Sequence, residues 1–247
     1  MKLVRFQSIL LGVLLSVANI FSLPVKAEGE PLNEPVNGKK VYLTFDDGPI
    51  PVITEGILDV LKEQNVKATF FVVGKEIPQR EDILRRIYNE GHSIGLHTYS
   101  HKYKKVYNCD DSLINEMLKT REIVQNTLGI SPTAIRFPGG SSRHLTKELL
   151  DSLHSLNMKV YDWNIDLYDG EHEVPPVSQI IKNGKNFKPG YKSLIILAHS
   201  NSNNSNTVKA LPGIIKFYKE LGYSFSAIET DTPEYHYKMR KSSSDDK

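Results

Sequence analysis

Two adjacent carboxylates, Asp46 and Asp47, stand in the run Thr44-Phe45-Asp46-Asp47-Gly48-Pro49. Two imidazoles, His97 and His101, lie four residues apart in His97-Thr98-Tyr99-Ser100-His101. Adjacent acids repel, and Asp-Asp-Gly-Pro also suits a plain acidic turn. A cation changes that balance, because one Asp can ligate it while the other stays ionised to accept a proton. A lone His is usually satisfied structure, but two His four apart share one face of a helical turn, where both rings reach one ion. Asp47, His97 and His101 then form a three-ligand site with positions left for water and substrate, the layout of a catalytic metal. The zincin protease pattern needs Glu after the first His, and Thr98 stands there instead.

Weaker signals follow along the chain: Arg136 in Arg136-Phe137-Pro138-Gly139-Gly140, the carboxylates of Asp162, Asp166 and Asp169, and His199 after Leu197-Ala198. Taken singly they read as a surface ion pair, an acidic loop and a capped strand end. Ser141 and Ser142 lack a Gly-x-Ser-x-Gly elbow, so a serine esterase is not expected. The remaining histidines, His92, His144, His154, His172 and His236, show no ligand spacing and read as structural or surface groups.

The elements around these residues alternate. Val41 to Thr44, Ala68 to Val73, Ser93 to Leu96, Ala134 to Arg136, Lys159 to Tyr161, Leu194 to Leu197 and Ser224 to Ser226 read as seven strands. Amphipathic patterns through Ile53 to Leu61, Ile83 to Ile87, Leu113 to Leu128, Leu145 to Leu156 and Leu211 to Leu221 read as helices, and Gly91 is placed to end one of them. Strand alternating with helix predicts an α/β fold with a parallel sheet, closed as a β/α barrel in preference to an open sheet. The candidate residues then fall at the C-terminal ends of strands, on one rim.

The chain has 247 residues with 39% apolar and 24% charged side chains, which fits one globular domain with non-globular ends. A formal net charge of +2 gives no reason to expect a nucleic-acid partner, and no obligate protein partner is indicated. Lys2 and Arg5 precede an uncharged stretch from Phe6 to Val25, and Val25-Lys26-Ala27 follows with signal-peptidase spacing. Residues 1–27 therefore read as a secretory signal peptide, with an uncleaved anchor as the alternative. Residues 28–39 read as a linker, 40–230 as the catalytic domain and 231–247, with Lys238, Arg240 and Lys241, as a solvated polar tail. Cys109 is the only cysteine, so no intramolecular disulfide forms.

Thr-Phe-Asp-Asp-Gly-Pro, His-Thr-Tyr-Ser-His, Arg-Phe-Pro-Gly-Gly and Leu-Ala-His, with Ala68-Thr69-Phe70-Phe71 and Gly91 to Gly95, resemble the motifs of the polysaccharide deacetylases of the NodB-homology type, carbohydrate esterase family 4. The resemblance covers about Lys40 to Glu229. It implies a distorted seven-stranded β/α barrel that removes acetyl groups from N-acetylated sugars with a divalent metal, usually zinc, with cobalt or another divalent ion as alternatives. It makes Asp46 the general base, Asp47, His97 and His101 the metal ligands, Arg136 the group that holds Asp46, and His199 the general acid. Asp169 is the preferred partner of His199 and Asp166 the second choice. The family's Trp after the second Asp of this motif is replaced by Gly170, and a Tyr frequent in the third motif is replaced by Gly139, whose N–H is expected to steady the oxyanion. Leu197 is expected to line a pocket for the acetyl methyl. Export and the single cysteine favour peptidoglycan N-acetylglucosamine as the glycan. N-acetylmuramic acid, chitin, a biofilm glucosamine polymer and acetylated xylan are alternatives, and a carbohydrate-binding barrel without catalysis is the competing class.

Overall fold

The computed structural model describes residues 38–240 except 171, 172, 174, 188 and 189. Residues 1–27, expected to be an export signal, most of the expected linker and residues 241–247 lie outside the described residues. Eight strands form one sheet: β1 (Lys40–Asp46), β2 (Thr69–Val72), β3 (Ser93–Leu96), β4 (Ala134–Ile135), β5 (Lys159–Val160), β6 (Ile165–Asp166), β7 (Ser193–His199) and β8 (Ser224–Phe225). Their order is β5-β4-β3-β2-β1-β7-β6, and every ladder is parallel. β8 pairs with Lys40 and Val41 of β1, on the stretch that β2 leaves unpaired because its own register begins at Thr44. Seven helices connect the strands: α1 (Ile53–Glu63), α2 (Glu81–Asn89), α3 (Tyr103–Val106), α4 (Asp110–Leu128), α5 (Lys147–Ser155), α6 (Val177–Gly184) and α7 (Ser205–Glu220).

β1 and β7 are central and pack on both faces, which is why they read as continuous apolar runs. The period of two then sorts their side chains. Val41, Leu43 and Phe45 point to the main core under the helices, and Tyr42 joins Phe71, Ala134, Tyr161, Ile195 and Ile228 in a smaller cluster on the opposite face of the sheet. Asp46 shares the parity of Tyr42, and Leu197 and His199 share that of Ile195. The same alternation that builds the second cluster therefore carries the candidate residues.

The barrel is the distorted one expected, because β5 and β6 end the path without a ladder between them. The segment after Ile228 fills that seam. Tyr235 bridges Tyr161, the Asp162 N–H donates to the Tyr235 carbonyl at 2.7 Å, and the Tyr237 N–H donates to Asp162 Oδ2 at 2.6 Å. Tyr161 Oη donates to the Thr232 carbonyl at 2.7 Å, and the Arg240 N–H to the Leu145 carbonyl at 2.9 Å. Residues 231–240 are thus not the solvated tail their composition suggested. Backbone pairing and half-buried tyrosines outweigh the polar and basic character of the segment.

Candidate active site

Asp46 is the last residue of β1, and Asp47 follows with φ of 76° in the left-handed region, so the two carboxylates diverge from the strand end. Arg136 leaves β4 fully buried. Its Nη1 donates to Asp46 Oδ1 at 2.9 Å and to Thr44 Oγ1 at 2.6 Å, and its Nε donates to the Tyr161 carbonyl at 2.7 Å. The guanidinium also lies 4.2 Å from the centroid of the Phe71 ring. A buried guanidinium this fully used fixes one oxygen of Asp46 and leaves Oδ2 directed at the cavity. Arg136 is therefore not a surface ion pair.

His97 follows β3, and its N–H extends the pairing to the Val72 carbonyl at 2.9 Å. The two histidines do not share a helical turn. Residues 97–102 are irregular, with Thr98 and His101 at φ of 63° and 53°. This loop is pinned from two sides. Thr98 and Tyr99 carbonyls accept from Gly74 and Lys75 N–H groups at 3.0 Å, and Glu116 Oε2 of α4 accepts from the N–H groups of Tyr99 and Ser100 at 3.1 and 2.6 Å. The strained conformation that turns both rings inward is over-determined by these bonds.

His97 Nδ1 donates to the Arg136 carbonyl at 2.9 Å, which leaves Nε2 as the nitrogen available to ligate. Burial, then the neighbouring His97, push the His101 imidazole down to about 4 against the pull of Asp47 and Asp46, so it is neutral at pH 7. Asp47 Oδ1 lies 3.6 Å from His97 Nε2 and 3.3 Å from His101 Nε2. Burial raises the Asp47 carboxyl, but His97, His101, His199 and the Asn201 amide outweigh it and hold it below its usual value. Among the described residues Asp47 Oδ1 is a buried oxygen with no hydrogen-bond partner. Lone pairs converging without a donor are costly unless a cation satisfies them, so these three groups fit a divalent ion.

His199 ends β7 directly beside Asp46 in the register. Asp169 is its partner: Oδ1 lies 2.8 Å from His199 Nδ1, and Oδ2 accepts the His199 N–H at 3.0 Å. Burial lowers the imidazole, but this hydrogen bond, the Asp169 charge and the charges of Asp46 and Asp47 overcome it and raise the ring to about 9. Asp166 is turned elsewhere, accepting from the Tyr168 N–H at 2.7 Å, and burial raises its carboxyl. Gly170 packs under the His199 ring, where a Cβ would stand 2.5 Å from Cε1. A side chain at 170 is therefore incompatible with this placement of the imidazole.

Asp46, Asp47, His97, His101 and His199 line one cavity of about 200 Å³, with Leu197, Trp163, Tyr103 and Gly139 completing its wall. Gly139 has φ of 74°, and a Cβ there would meet Tyr103 Oη at 2.8 Å. The site thus holds an arginine-held carboxylate, a charged imidazole, a cation site and a buried apolar patch within one small volume.

Several residues that organise this site carry no motif. In the Asn-Ser run after His199, Asn201 Nδ2 donates to Asp47 Oδ2 at 2.8 Å. Asn204 Nδ2 donates to the Asp169 carbonyl, and Thr207 Oγ1 to Asp169 Oδ2, both at 2.7 Å. Glu116 sits on the apolar face of α4 with Leu113, Met117, Thr120 and Val124, and an acid in that stripe is the signal that could have exposed it. Asp162 is fully buried and takes the Ser141 N–H at 3.0 Å, so it holds the Gly139 turn without entering the cavity. His92 accepts from the Ala68 N–H, His144 stacks on Tyr107 and His154 pairs with Glu234, as expected of structural groups.

The family model described as polysaccharide deacetylase matches residues 33–161. A peptidoglycan-N-acetylglucosamine deacetylase of Bacillus cereus is 35% identical over 205 residues, covering 79% of this chain and 72% of that protein. The crystal structure of the catalytic domain of peptidoglycan N-acetylglucosamine deacetylase from Eubacterium rectale superposes with a TM-score of 0.74 at 30% identity, covering 82% of this chain and 94% of that one. A polysaccharide deacetylase from Bacillus cereus gives 0.72 at 34% identity, covering 79% and 94%. Motifs, curled parallel sheet and site geometry agree, and this chain belongs to the polysaccharide deacetylase family, the metal-dependent hydrolases of carbohydrate esterase family 4.

Proposed function

We propose that this chain is a zinc-dependent deacetylase acting on N-acetylglucosamine of peptidoglycan, exported across the cytoplasmic membrane by its N-terminal segment. The observation that carries the reading is the pairing of an Arg-held carboxylate with a carboxylate-held imidazole across one cavity, flanked by the buried, partnerless Asp47 Oδ1. A divalent cation held by Asp47, His97 and His101 supplies Lewis-acid polarisation, and two nitrogens with one oxygen and open positions suit zinc. Asp46 Oδ2 accepts the proton of the attacking water, while Arg136 keeps Oδ1 occupied. The Gly139 N–H faces the carbonyl oxygen as it becomes an oxyanion. Leu197 receives the acetyl methyl. His199, charged through Asp169, donates its Nε2 proton to the departing amine.

The relatives' substrate and the Lys2 to Ala27 segment, which carries the features of an export signal, support peptidoglycan as the glycan. The test is acetate and free-amine release from peptidoglycan, N-acetylglucosamine oligomers and acetylated xylan, before chelation, after it and with zinc restored. Release from peptidoglycan and the oligomers that vanishes with chelator and returns with zinc is expected. Retention of full activity after verified metal removal would overturn the metal assignment, and activity confined to xylan would overturn the glycan.

A further inference from the structure

Tyr103, the first residue of α3, lines the catalytic cavity from the side of the cation site and has no part in the chemistry described so far. Its ring is braced edge-on between His101, with centroids 5.9 Å apart, and Tyr107, with centroids 5.8 Å apart. Tyr107 is itself fixed, stacked on His144 at 3.5 Å and donating its hydroxyl to the Pro138 carbonyl at 2.6 Å. Tyr103 Oη is thereby carried to the Gly139 backbone, where a Cβ would stand 2.8 Å from it and 3.3 Å from Cε1. The hydroxyl occupies the space that a side chain at 139 would fill, and glycine leaves that space free. Tyr107 spends its hydroxyl on the turn, whereas among the described residues Tyr103 Oη has no protein partner. We infer that Tyr103 is a catalytic residue whose hydroxyl, beside the Gly139 N–H, donates a hydrogen bond to the acetyl carbonyl oxygen as it becomes an oxyanion, which rests on the deacetylase reading above.

The other groups of the cavity leave this role open. Asp46 and Asp47 are acceptors, and His97 and His101 direct their Nε2 atoms at Asp47 and the cation site. The Nε2 proton of His199 goes to the departing amine. Leu197 is apolar, the Trp163 indole hydrogen-bonds Asp166, and Tyr168 stands on the acid's side with its N–H on Asp166. That leaves Tyr103 as the side-chain donor next to Gly139. A hydroxyl already aimed at the point where charge develops, inside a cavity of about 200 Å³, needs no reorganisation when the charge arrives. The phenol keeps its proton throughout. Charge builds on the carbonyl oxygen as the bond from water to carbon forms, and it returns to carbon as the C–N bond breaks and the amine takes its proton from His199.

Tyr103→Phe keeps the ring and its packing and removes the oxygen alone. On N-acetylglucosamine oligomers kcat for acetate release is expected to fall about 10–100-fold, with KM changed less than about two-fold. The loss stays short of the roughly 10²–10³-fold of a fully enclosed donor because the ring is half open to water. Zinc by elemental analysis should stay at about one equivalent. Acetate, whose oxygens carry charge of the kind the oxyanion develops, gives a readout without turnover. Its affinity for the zinc-loaded protein, followed by broadening of the methyl proton signal, should weaken about ten-fold, the size of one hydrogen bond to a charged oxygen. Unchanged kcat, or a loss confined to KM, would overturn the assignment. Loss of zinc would overturn it too, since Tyr103 would then be a brace for the His101 loop. A wild-type chain that releases no acetate from any glycan, with Tyr103→Phe still weakening acetate, would sink the deacetylase reading and leave the contact of the hydroxyl standing.

Discussion

Replacing Asp169 by Asn should convert His199 from a charged acid into a neutral ring. Oδ2 of Asp169 accepts from the His199 N–H, Thr207 Oγ1 and Asn204 Nδ2, all of them donors. The amide oxygen of an Asn must therefore take the Oδ2 position, which turns its NH₂ toward His199 Nδ1. That nitrogen is then held as an acceptor, and protonating it removes a hydrogen bond where the native carboxylate gains one. With the imidazole raised to about 9, the ring is about thirty to one protonated at pH 7.5. Without the carboxylate only Asp46 and Asp47 oppose the burial that disfavours the charge, so the pKa falls toward the ordinary value of about 6.5, at which about one ring in ten remains charged. Acetate release at pH 7.5 should drop at least about ten-fold, and the alkaline limb of kcat/KM should move to lower pH.

The same shift acts on stability. A histidine raised in the folded state stabilises fully below pH about 6.5, and that stability is lost as pH rises through about 9. In urea titrations of metal-free protein the variant should therefore be weaker by about 2 kcal/mol at pH 7.5, with the gap closing above pH 9. Proton NMR of the His199 ring reads the pKa directly. An unmoved alkaline limb together with a stability gap that is constant in pH would refute the assignment of Asp169 as the group that charges His199.

Arg136→Met should leave Asp46 buried and unpaired, costing about 3–5 kcal/mol in denaturant titrations; a loss under 1 kcal/mol would show that the pair is not structural. His101→Ala removes one of three ligands, so zinc retained after dialysis should fall from about one equivalent to near none by elemental analysis, with the fold intact by circular dichroism. Asn201→Ala frees Asp47 Oδ2 and should weaken metal affinity by about 10-fold in a competition titration, while the pH profile set by His199 stays in place.

The parts of this protein that were legible in the chain are those whose signal is local. β1 and β7 are buried on both faces, so their apolar runs announce themselves, and the residues just beyond them carry the two acids and His199. β6 is invisible because Ile165–Asp166 has no pattern of its own and becomes a strand only through pairing with Ile196 and Leu197. His97 and His101 were paired by a spacing rule for helices, yet Thr98 and His101 in the left-handed region bring the rings together by a different path. Spacing constrained the partners and not the backbone. Asn201, Asn204, Thr207 and Glu116 were illegible as site residues because their meaning lies in bonds to Asp47, Asp169 and a loop distant in sequence. The terminal segment misled for the opposite reason, since composition reports solvation and Tyr235 is held by backbone pairing.

That segment bears on the order in which the chain can finish folding. Asp162 is fully buried, its carbonyl accepts from Arg136 Nη2 and its Oδ2 from the Tyr237 N–H. Until residues 235–237 emerge, this carboxylate is held by Ser141 alone, and the edge of the sheet beyond Tyr161 stands open. The support under the arginine is therefore complete only when residues 235–237 have been made. A nascent or clipped chain that ends near Glu229 carries every motif but lacks the Tyr237 donor to Asp162 and the Tyr235 pairing at Tyr161.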